Sequence, residues 1–211
     1  MSTPTRGLIF TPDLIPGVMS GAVTVTSRVI KPQPPSNCAY LHAAVNGWAW
    51  TDGATVDYDY FPRDREALTC PFRVGERRYL KETWYSSERG DDLLGYVADS
   101  DCPHGVSYRV RSSMFMPRWA ARTWIEIVSV KPARCQEITE EEAIASGCRP
   151  FFDHDNPVQV KSPNGNVHPF APLKGPLDAY AALWDQLNGK RGYPWIAKCW
   201  AWRVTFRTVA P

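Results

Sequence analysis

The sequence has 211 residues, of which 44% are hydrophobic and 22% are charged. This composition is that of a globular domain with a sizeable core, and it excludes an intrinsically disordered chain. The net charge of +2 excludes the strongly basic proteins that coat nucleic acid, although it is compatible with a local basic patch. Nine Trp and nine Tyr residues indicate either an aromatic core or a surface whose rings are available for stacking.

The first predicted elements are a short helix and a strand. Thr11 followed by Pro12 is typical of a helix start, and Pro16 with Gly17 predicts that this helix is broken or largely 3₁₀. Between residues 23 and 29, β-branched residues alternate with others, which predicts a strand.

The polar face of that strand is the first candidate site. If its valines face the core, the other face carries two hydroxyls and a guanidinium, from Thr24, Thr26 and Arg28. Such a face suits a polar ligand. The alternative is that Thr is simply a favourable strand residue and that Arg28 lies on a solvated edge.

The rest of the chain predicts strands, two further helices and two insertions. Residues 36–69 form the first insertion, with a hairpin across Asp52 and Gly53 between strands at 47–53 and 56–61; residues 149–175 form the second. Strands are expected at 77–84, 124–130 and 200–207. A Thr139–Glu142 capping box starts one helix, which Gly147 ends, and Pro176 starts another, which Gly189 ends.

The cysteines and histidines predict no metal site and no cofactor. The six cysteines include no Cys-x-x-Cys pair, and the four histidines fall in predicted loops. We therefore expect reduced cysteines in the core or in loops. The sequence shows neither a signal-peptide pattern nor a membrane-length apolar run, so we expect a cytoplasmic protein without a membrane partner.

Several motifs carry a resemblance to a known family. They are Leu-Ile-Phe-Thr at 8–11, Arg-Val-Ile-Lys-Pro at 28–32, Glu-Thr-Trp at 82–84, Met-Pro-Arg-Trp-Ala-Ala-Arg at 116–122 and Leu-Trp-Asp-Gln-Leu-Asn-Gly-Lys-Arg-Gly at 183–192. By these motifs the sequence resembles the ASCH-domain proteins of bacteriophages, in the PUA-like superfamily, which are often labelled morphogenetic proteins.

The resemblance implies a fold and a location. The fold is of the α+β class: one ASCH/PUA-like domain over residues 1–211, built as a small, mostly antiparallel β-barrel with about three flanking helices and the two loop insertions. It also implies a short strand at 96–99. For a phage protein, the expected location is the cytoplasm of the infected host cell.

The resemblance further implies a module that binds RNA or a nucleotide, including a modified one, in a cleft beside the first helix and strand. Trp84 and Trp119 would either stack on a base or belong to the core. Glu82 would either line the cleft or be the buried partner of Arg118 or Arg28. The candidate binding residues are Thr24, Thr26, Arg28, Lys31, Lys81, Glu82, Trp84, Arg118, Trp119 and Arg122.

Enzymatic activity is the alternative, with an assembly role as a third possibility. Some bacterial relatives are similar to amidohydrolases that act on acetylcytidine with a Thr, a Lys and a Glu. The Thr falls on Thr26, but the Lys falls on Val23 and the Glu on Ser146, which argues against that reaction. A hydrolase of a modified nucleobase or a nucleic acid, centred on Thr26 and Glu82, remains open, as does a protein-interaction or assembly factor with a phage or host protein partner.

Overall fold

The structure is a computed structural model. It describes residues 6–44, 47–51, 68–90, 92–99, 103–148 and 175–210. Within these ranges the chain combines several sheets with few helices, which confirms the mixed α+β class. No helix among these residues is long and apolar enough to cross a membrane.

The strands are short except for the last two. They are β1 (Gly7–Ile9), β2 (Val25–Val29), β3 (Tyr40–Ala44), β4 (Gly47–Thr51), β5 (Arg77–Lys81), β6 (Trp84–Ser87), β7 (Leu93–Tyr96), β8 (Tyr108–Arg111), β9 (Trp124–Arg134) and β10 (Trp200–Val209). The α-helices are α1 (Ile15–Met19), α2 (Glu140–Ala145) and α3 (Pro176–Asn188).

The strands form three sheets. The largest has the order β1-β5-β9-β10-β2, with β1 parallel and β9 antiparallel to β5. A hairpin joins β3 to β4, and β6 lies between β7 and β8, antiparallel to both. Among the strands described, the two outermost members of each sheet have one neighbour each, so none of the three sheets closes into a barrel.

The chain divides into two compact units, each assembled from separate segments. The first unit comprises Met1–Thr24, Val74–Ser129 and Thr205–Pro211, and the second comprises Val25–Arg73 and Val130–Val204. Strands β9 and β10 therefore each contribute residues to both units.

The core of the first unit begins at the first helix. A 3₁₀ turn at Pro12–Leu14 leads directly into the five-residue α1, which itself contains Pro16 and Gly17. Gly17 is required by close packing, since a Cβ there would lie 2.6 Å from Cγ2 of Val23. Gly21, with φ of 76°, adopts the left-handed conformation that ends the helix. The buried apolar side chains of this unit include Ile15, Val18, Leu80, Ile125, Ile127 and Phe206.

The core of the second unit lies around α2 and α3. The predicted capping box is present: Thr139 accepts a hydrogen bond from the Glu142 amide, and the Glu142 carboxylate accepts one from the Thr139 amide. Tyr180 and Trp184 of α3 are buried there. Cys135, Ile138, Ala143, Cys148, Cys199 and Ala201 complete this cluster.

A buried guanidinium ties α2 to the last strand within the second unit. Arg203 is 1% exposed, and it donates to the carboxylate of Glu142 at 2.7 Å and to the carbonyl of Glu137 at 2.9 Å. Lys131 donates to the other oxygen of the Glu142 carboxylate at 2.7 Å. Burial alone would raise the pKa of Glu142, but the Lys131 hydrogen bond and the Arg203 charge together hold it below its usual value.

Three predicted elements differ from the structure. The strand expected at 77–84 is two strands, β5 and β6, which belong to different sheets. The strand expected at 96–99 is wrong, because β7 ends at Tyr96 and Val97–Asp99 is a 3₁₀ turn. Strand β4 pairs with β3, which the sequence did not predict; the strand expected at 56–61 and most of the second insertion lie outside the described residues.

Candidate nucleic-acid interface

An exposed apolar ridge lies on the segment of the first unit between β8 and β9. Two 3₁₀ turns shape it, Ser113–Phe115 and Arg118–Ala120. The hydroxyl of Ser112 caps the first turn by accepting from the amide of Met114. The ridge consists of three side chains that are mostly exposed: Met114 at 62%, Phe115 at 75% and Trp119 at 61%.

The same segment is anchored from beneath on the three-stranded sheet. Met116 and Ala120 are each 1% exposed and pack on Trp84 of β6. Leu93, Tyr96 and Ala121 pack against this cluster. The ridge is therefore held by a buried core, although its own side chains face water.

Trp119 and Trp84 differ in burial, so only Trp84 belongs to the core. Trp84 is 2% exposed and belongs to the core, whereas Trp119 projects from it. Their ring centroids are 6.1 Å apart and the rings are nearly perpendicular, at 83°. An edge-to-face contact of this kind is worth about 0.5–1.5 kcal/mol beyond area burial. It also leaves much of the surface of Trp119 accessible.

A buried ion pair fixes the C-terminal end of the ridge. Arg122 donates two hydrogen bonds to the carboxylate of Glu82, from Nε to Oε1 at 3.2 Å and from Nη2 to Oε2 at 2.8 Å. Its Nη1 donates to Asp99 at 2.8 Å. The guanidinium carbon lies 3.9 Å from the ring centroid of Tyr96, whose hydroxyl donates to the carbonyl of Ala120 at 2.6 Å.

The environment of this pair determines its charges. Burial opposes the charge on Arg122, but its hydrogen bonds to Glu82 and Asp99 outweigh that effect and raise its pKa. Burial is also the main cause that raises the pKa of Tyr96. Because both oxygens of Glu82 accept from Arg122 and its side chain is 1% exposed, this carboxylate is suited to hold the ridge and not to take a proton from a bound molecule.

Two further predicted residues add positive charge beside the ridge. Lys81 donates from Nζ to the carbonyl of Met114 at 2.7 Å, so its ammonium lies against the first 3₁₀ turn. Arg118 is exposed, and its guanidinium carbon lies 5.1 Å from the ring centroid of Trp124. The structure thus brings together Lys81, Glu82, Trp84, Arg118, Trp119 and Arg122.

A group of arginines that the sequence analysis missed lies on the three-stranded sheet. Arg89, Arg109 and Arg111, with Glu88 and Gly90, line an open concavity of about 700 Å³. The signal was present in the sequence, because residues two apart on a strand share a face and Arg109 and Arg111 flank Val110. The pairing of β8 with β6, beyond whose end Arg89 lies, could not be inferred.

The remaining predicted residues lie on β2 or directly beside it in the chain. Thr24 belongs to the first unit, where its carbonyl accepts from the amide of Phe206 at 2.8 Å. Thr26, Arg28 and Lys31 belong to the second unit. The two residues from β2 are partly buried, and the ammonium of Lys31 lies 5.2 Å from the ring centroid of Tyr193.

The two positions at which the resembling amidohydrolases carry Lys and Glu hold no proton-transfer group. Val23 is 4% exposed and packs in the core of the first unit. Ser146 is 5% exposed, and its hydroxyl donates to the carbonyl of Glu142 at 2.8 Å, as helix-end serines commonly do. Each side chain serves local packing or helix termination.

The cysteines that the structure describes differ in burial. Cys38, Cys135, Cys148 and Cys199 are buried, and Cys70 is partly exposed. Burial raises the pKa of Cys135 and of Cys148 to about 11. Within the described ranges, no three His, Cys, Asp or Glu side chains are placed to hold a metal ion.

Comparison with known proteins gives no relative. No protein-family model, no curated protein and no solved structure matches this chain.

Proposed function

We propose that this chain is an RNA-binding module of the ASCH type, with a PUA-like fold, and that the ridge of Met114, Phe115 and Trp119 is its binding surface. The observation that carries the proposal is Trp119, a large ring that is 61% exposed while Met116 and Ala120 of the same segment are anchored in the core. Single-stranded RNA is bound largely by stacking of unpaired bases on aromatic rings and arginine planes.

The surroundings of Trp119 support a nucleic-acid ligand over an apolar one. Arg118 is exposed beside it, and Lys81 lies against the turn that carries Met114. These cations are placed to contact phosphates while a base stacks on the ring. The small net charge of +2 gives little long-range attraction, which favours a short strand or a single nucleotide over a long duplex.

A hydrolase is not proposed. The carboxylate of Glu82 is occupied by Arg122, and Val23 and Ser146 carry no group that moves a proton. The geometry supports binding by stacking and charge, for which every required side chain is present.

The test is binding of a fluorescein-labelled 12-nucleotide oligouridylate by fluorescence anisotropy, across a salt titration. Stacking is worth about 1–3 kcal/mol per base, so we expect Trp119→Ala to weaken binding about 5- to 150-fold, and Trp119→Phe to retain most of it. Arg118→Ala should lower the slope of log K against log salt by about 0.7 if it contacts one phosphate.

The matched control is Tyr40→Ala, which removes another exposed ring, 65% exposed, from the second unit. It should leave the affinity unchanged. The proposal fails if the wild-type protein does not bind the RNA at low salt, or if Trp119→Ala and Tyr40→Ala have equal affinities.

A further inference from the structure

The concavity lined by Arg89, Arg109 and Arg111 is a separate feature of the three-stranded sheet. Arg109 and Arg111 lie on β8, and Arg89 lies just beyond β6. In the register of the two strands, Ser86 is opposite Arg109 and Trp84 is opposite Arg111. Directly opposed residues share a face, so both arginines start from the same face as the buried Trp84.

One arginine of this group is fixed in place by the sheet. Arg111 donates from Nε to the hydroxyl of Ser86 at 3.0 Å, and Ser86 is fully buried. The bond restrains the guanidinium at the wall of the concavity and lowers the entropy that would be lost when it binds a ligand.

The other two arginines carry charge that the described chain does not neutralise. Neither Arg89 nor Arg109 has a hydrogen-bond or ion-pair partner among the residues that the structure describes, and both are exposed. Glu88 is the single carboxylate among the described residues of the lining. These described residues carry three positive charges and one negative charge, a net of +2 by subtraction.

This charge and geometry match one chemical group. A phosphate monoester carries a charge of about −1.5 to −2 at pH 7 and presents three acceptor oxygens. Guanidinium groups bind phosphate with paired, charge-assisted hydrogen bonds. An internal phosphodiester carries one negative charge and would leave a positive charge unmatched. The volume of about 700 Å³ is within the range of small-ligand sites and is large enough for a nucleotide as well as its phosphate.

We propose that the concavity of Arg89, Arg109 and Arg111 binds a terminal phosphate monoester, at the end of the RNA strand or on a free nucleotide. Binding of the phosphate at an RNA end rests on the proposed function, since it requires the RNA to bind to the first unit. Trp84 connects the two features: its ring lies 6.1 Å from that of Trp119, and its backbone is opposite that of Arg111. An RNA whose end lies in the concavity is thus close to the ridge.

The experiment compares three 12-nucleotide oligouridylates on the full chain: one with a 5′-phosphate, one with a 3′-phosphate and one with hydroxyls at both ends. We expect one phosphorylated end to bind about tenfold or more tightly than the hydroxyl form. Arg109→Ala should abolish this preference and leave the affinity for the hydroxyl form nearly unchanged. Arg191→Ala, which removes an exposed arginine from the second unit, should preserve it.

A second arm separates this proposal from the proposed function. Titration calorimetry with uridine 5′-monophosphate, uridine 3′-monophosphate and uridine needs no RNA strand. If the wild-type protein binds a monophosphate in an Arg109-dependent manner but binds no oligonucleotide, the phosphate site stands and the RNA-binding function fails. If Trp119→Ala weakens all three oligonucleotides equally and preserves the end preference, both stand.

The phosphate site is overturned by either of two results. The first is equal affinity for all three oligonucleotides together with no preference for a monophosphate over uridine. The second is a phosphate preference that survives in Arg109→Ala. Because Arg109 is exposed and the structure shows no bond from its side chain within the described residues, the variant is expected to fold normally, and an unchanged thermal midpoint checks this.

Discussion

Replacing Arg122 with alanine tests whether the ridge depends on its buried ion pair. In Arg122→Ala, the carboxylate of Glu82, at 1% exposure, loses both of its hydrogen bonds and its counter-charge. Breaking a buried pair by removing one partner costs about 3–5 kcal/mol. Arg122 is 23% exposed and water can reach part of the vacated space, so we expect a loss of about 3 kcal/mol, of which about 0.5 kcal/mol is its contact with the Tyr96 ring.

The measurement is the free energy of unfolding from urea titration. Arg118→Ala is the control, since it removes an exposed guanidinium with one ring contact from the same segment and should cost less than about 1 kcal/mol. In the double variant Glu82→Gln/Arg122→Ala no buried charge is left unpaired, so about half of the lost stability should return. A loss no larger than that of Arg118→Ala, or a double variant no more stable than Arg122→Ala, would refute the reasoning.

Two further predictions concern titratable groups. The pKa of Glu142 is lowered on folding, since the Lys131 hydrogen bond and the Arg203 charge outweigh burial. The ionised Glu142 carboxylate therefore stabilises the folded protein fully above about pH 4.5, and this stabilisation is lost as the pH falls through the lowered pKa. Glu142→Gln should destabilise the protein by about 1–3 kcal/mol at pH 7 and by clearly less at pH 3, and an equal gap in urea unfolding at both pH values would contradict this. Burial raises the pKa of Cys135 and Cys148 to about 11, so at pH 8 iodoacetamide should alkylate the partly exposed Cys70 first, as peptide mass spectrometry can show; equal rates at these three thiols would be the opposite result.

Local signals in the sequence were sufficient where a few neighbouring residues determine an element. The Thr139–Glu142 capping box and Pro176 at a helix start are each decided by backbone conformation and hydrogen bonds within one turn. The alternation in residues 200–207 likewise predicts β10, which extends to Val209 and is buried at five consecutive residues from Trp200 to Val204.

The division between β5 and β6 shows why other elements could not be predicted. Side chains alternate between buried and half-buried from Leu80 to Trp84, so a period of two runs without interruption from the end of β5 into β6. What changes at Glu82 is the partner: β5 pairs with β1 and β9, whereas β6 pairs with β7 and β8. Side-chain patterns indicate burial, but they do not indicate which neighbouring strand supplies the hydrogen bonds.

The residues of the candidate site could be predicted from the sequence, but their contacts and burial could be predicted only in part. The sequence predicted Arg118 or Arg28 as the buried partner of Glu82, which was wrong: the partner is Arg122, because the choice depends on how the 112–123 segment packs on β6. The core position of Trp84 and the exposure of Trp119 depend on the same packing of this segment on β6. Trp84 and Trp119 have similar surroundings in the sequence, so composition alone could not distinguish the buried ring from the exposed one.

The interleaving of the two units has a consequence for how the chain is made. The first unit uses Met1–Thr24 and also Thr205–Pro211, so a nascent chain cannot complete it until almost the whole sequence has left the ribosome. Strand β10 supplies both units, and its contacts join residues far apart in the chain, which slows folding and lengthens the time during which apolar segments are exposed. Neither unit can be expressed as a simple contiguous fragment, and a nonsense mutation near residue 200 would remove the last strand from both at once.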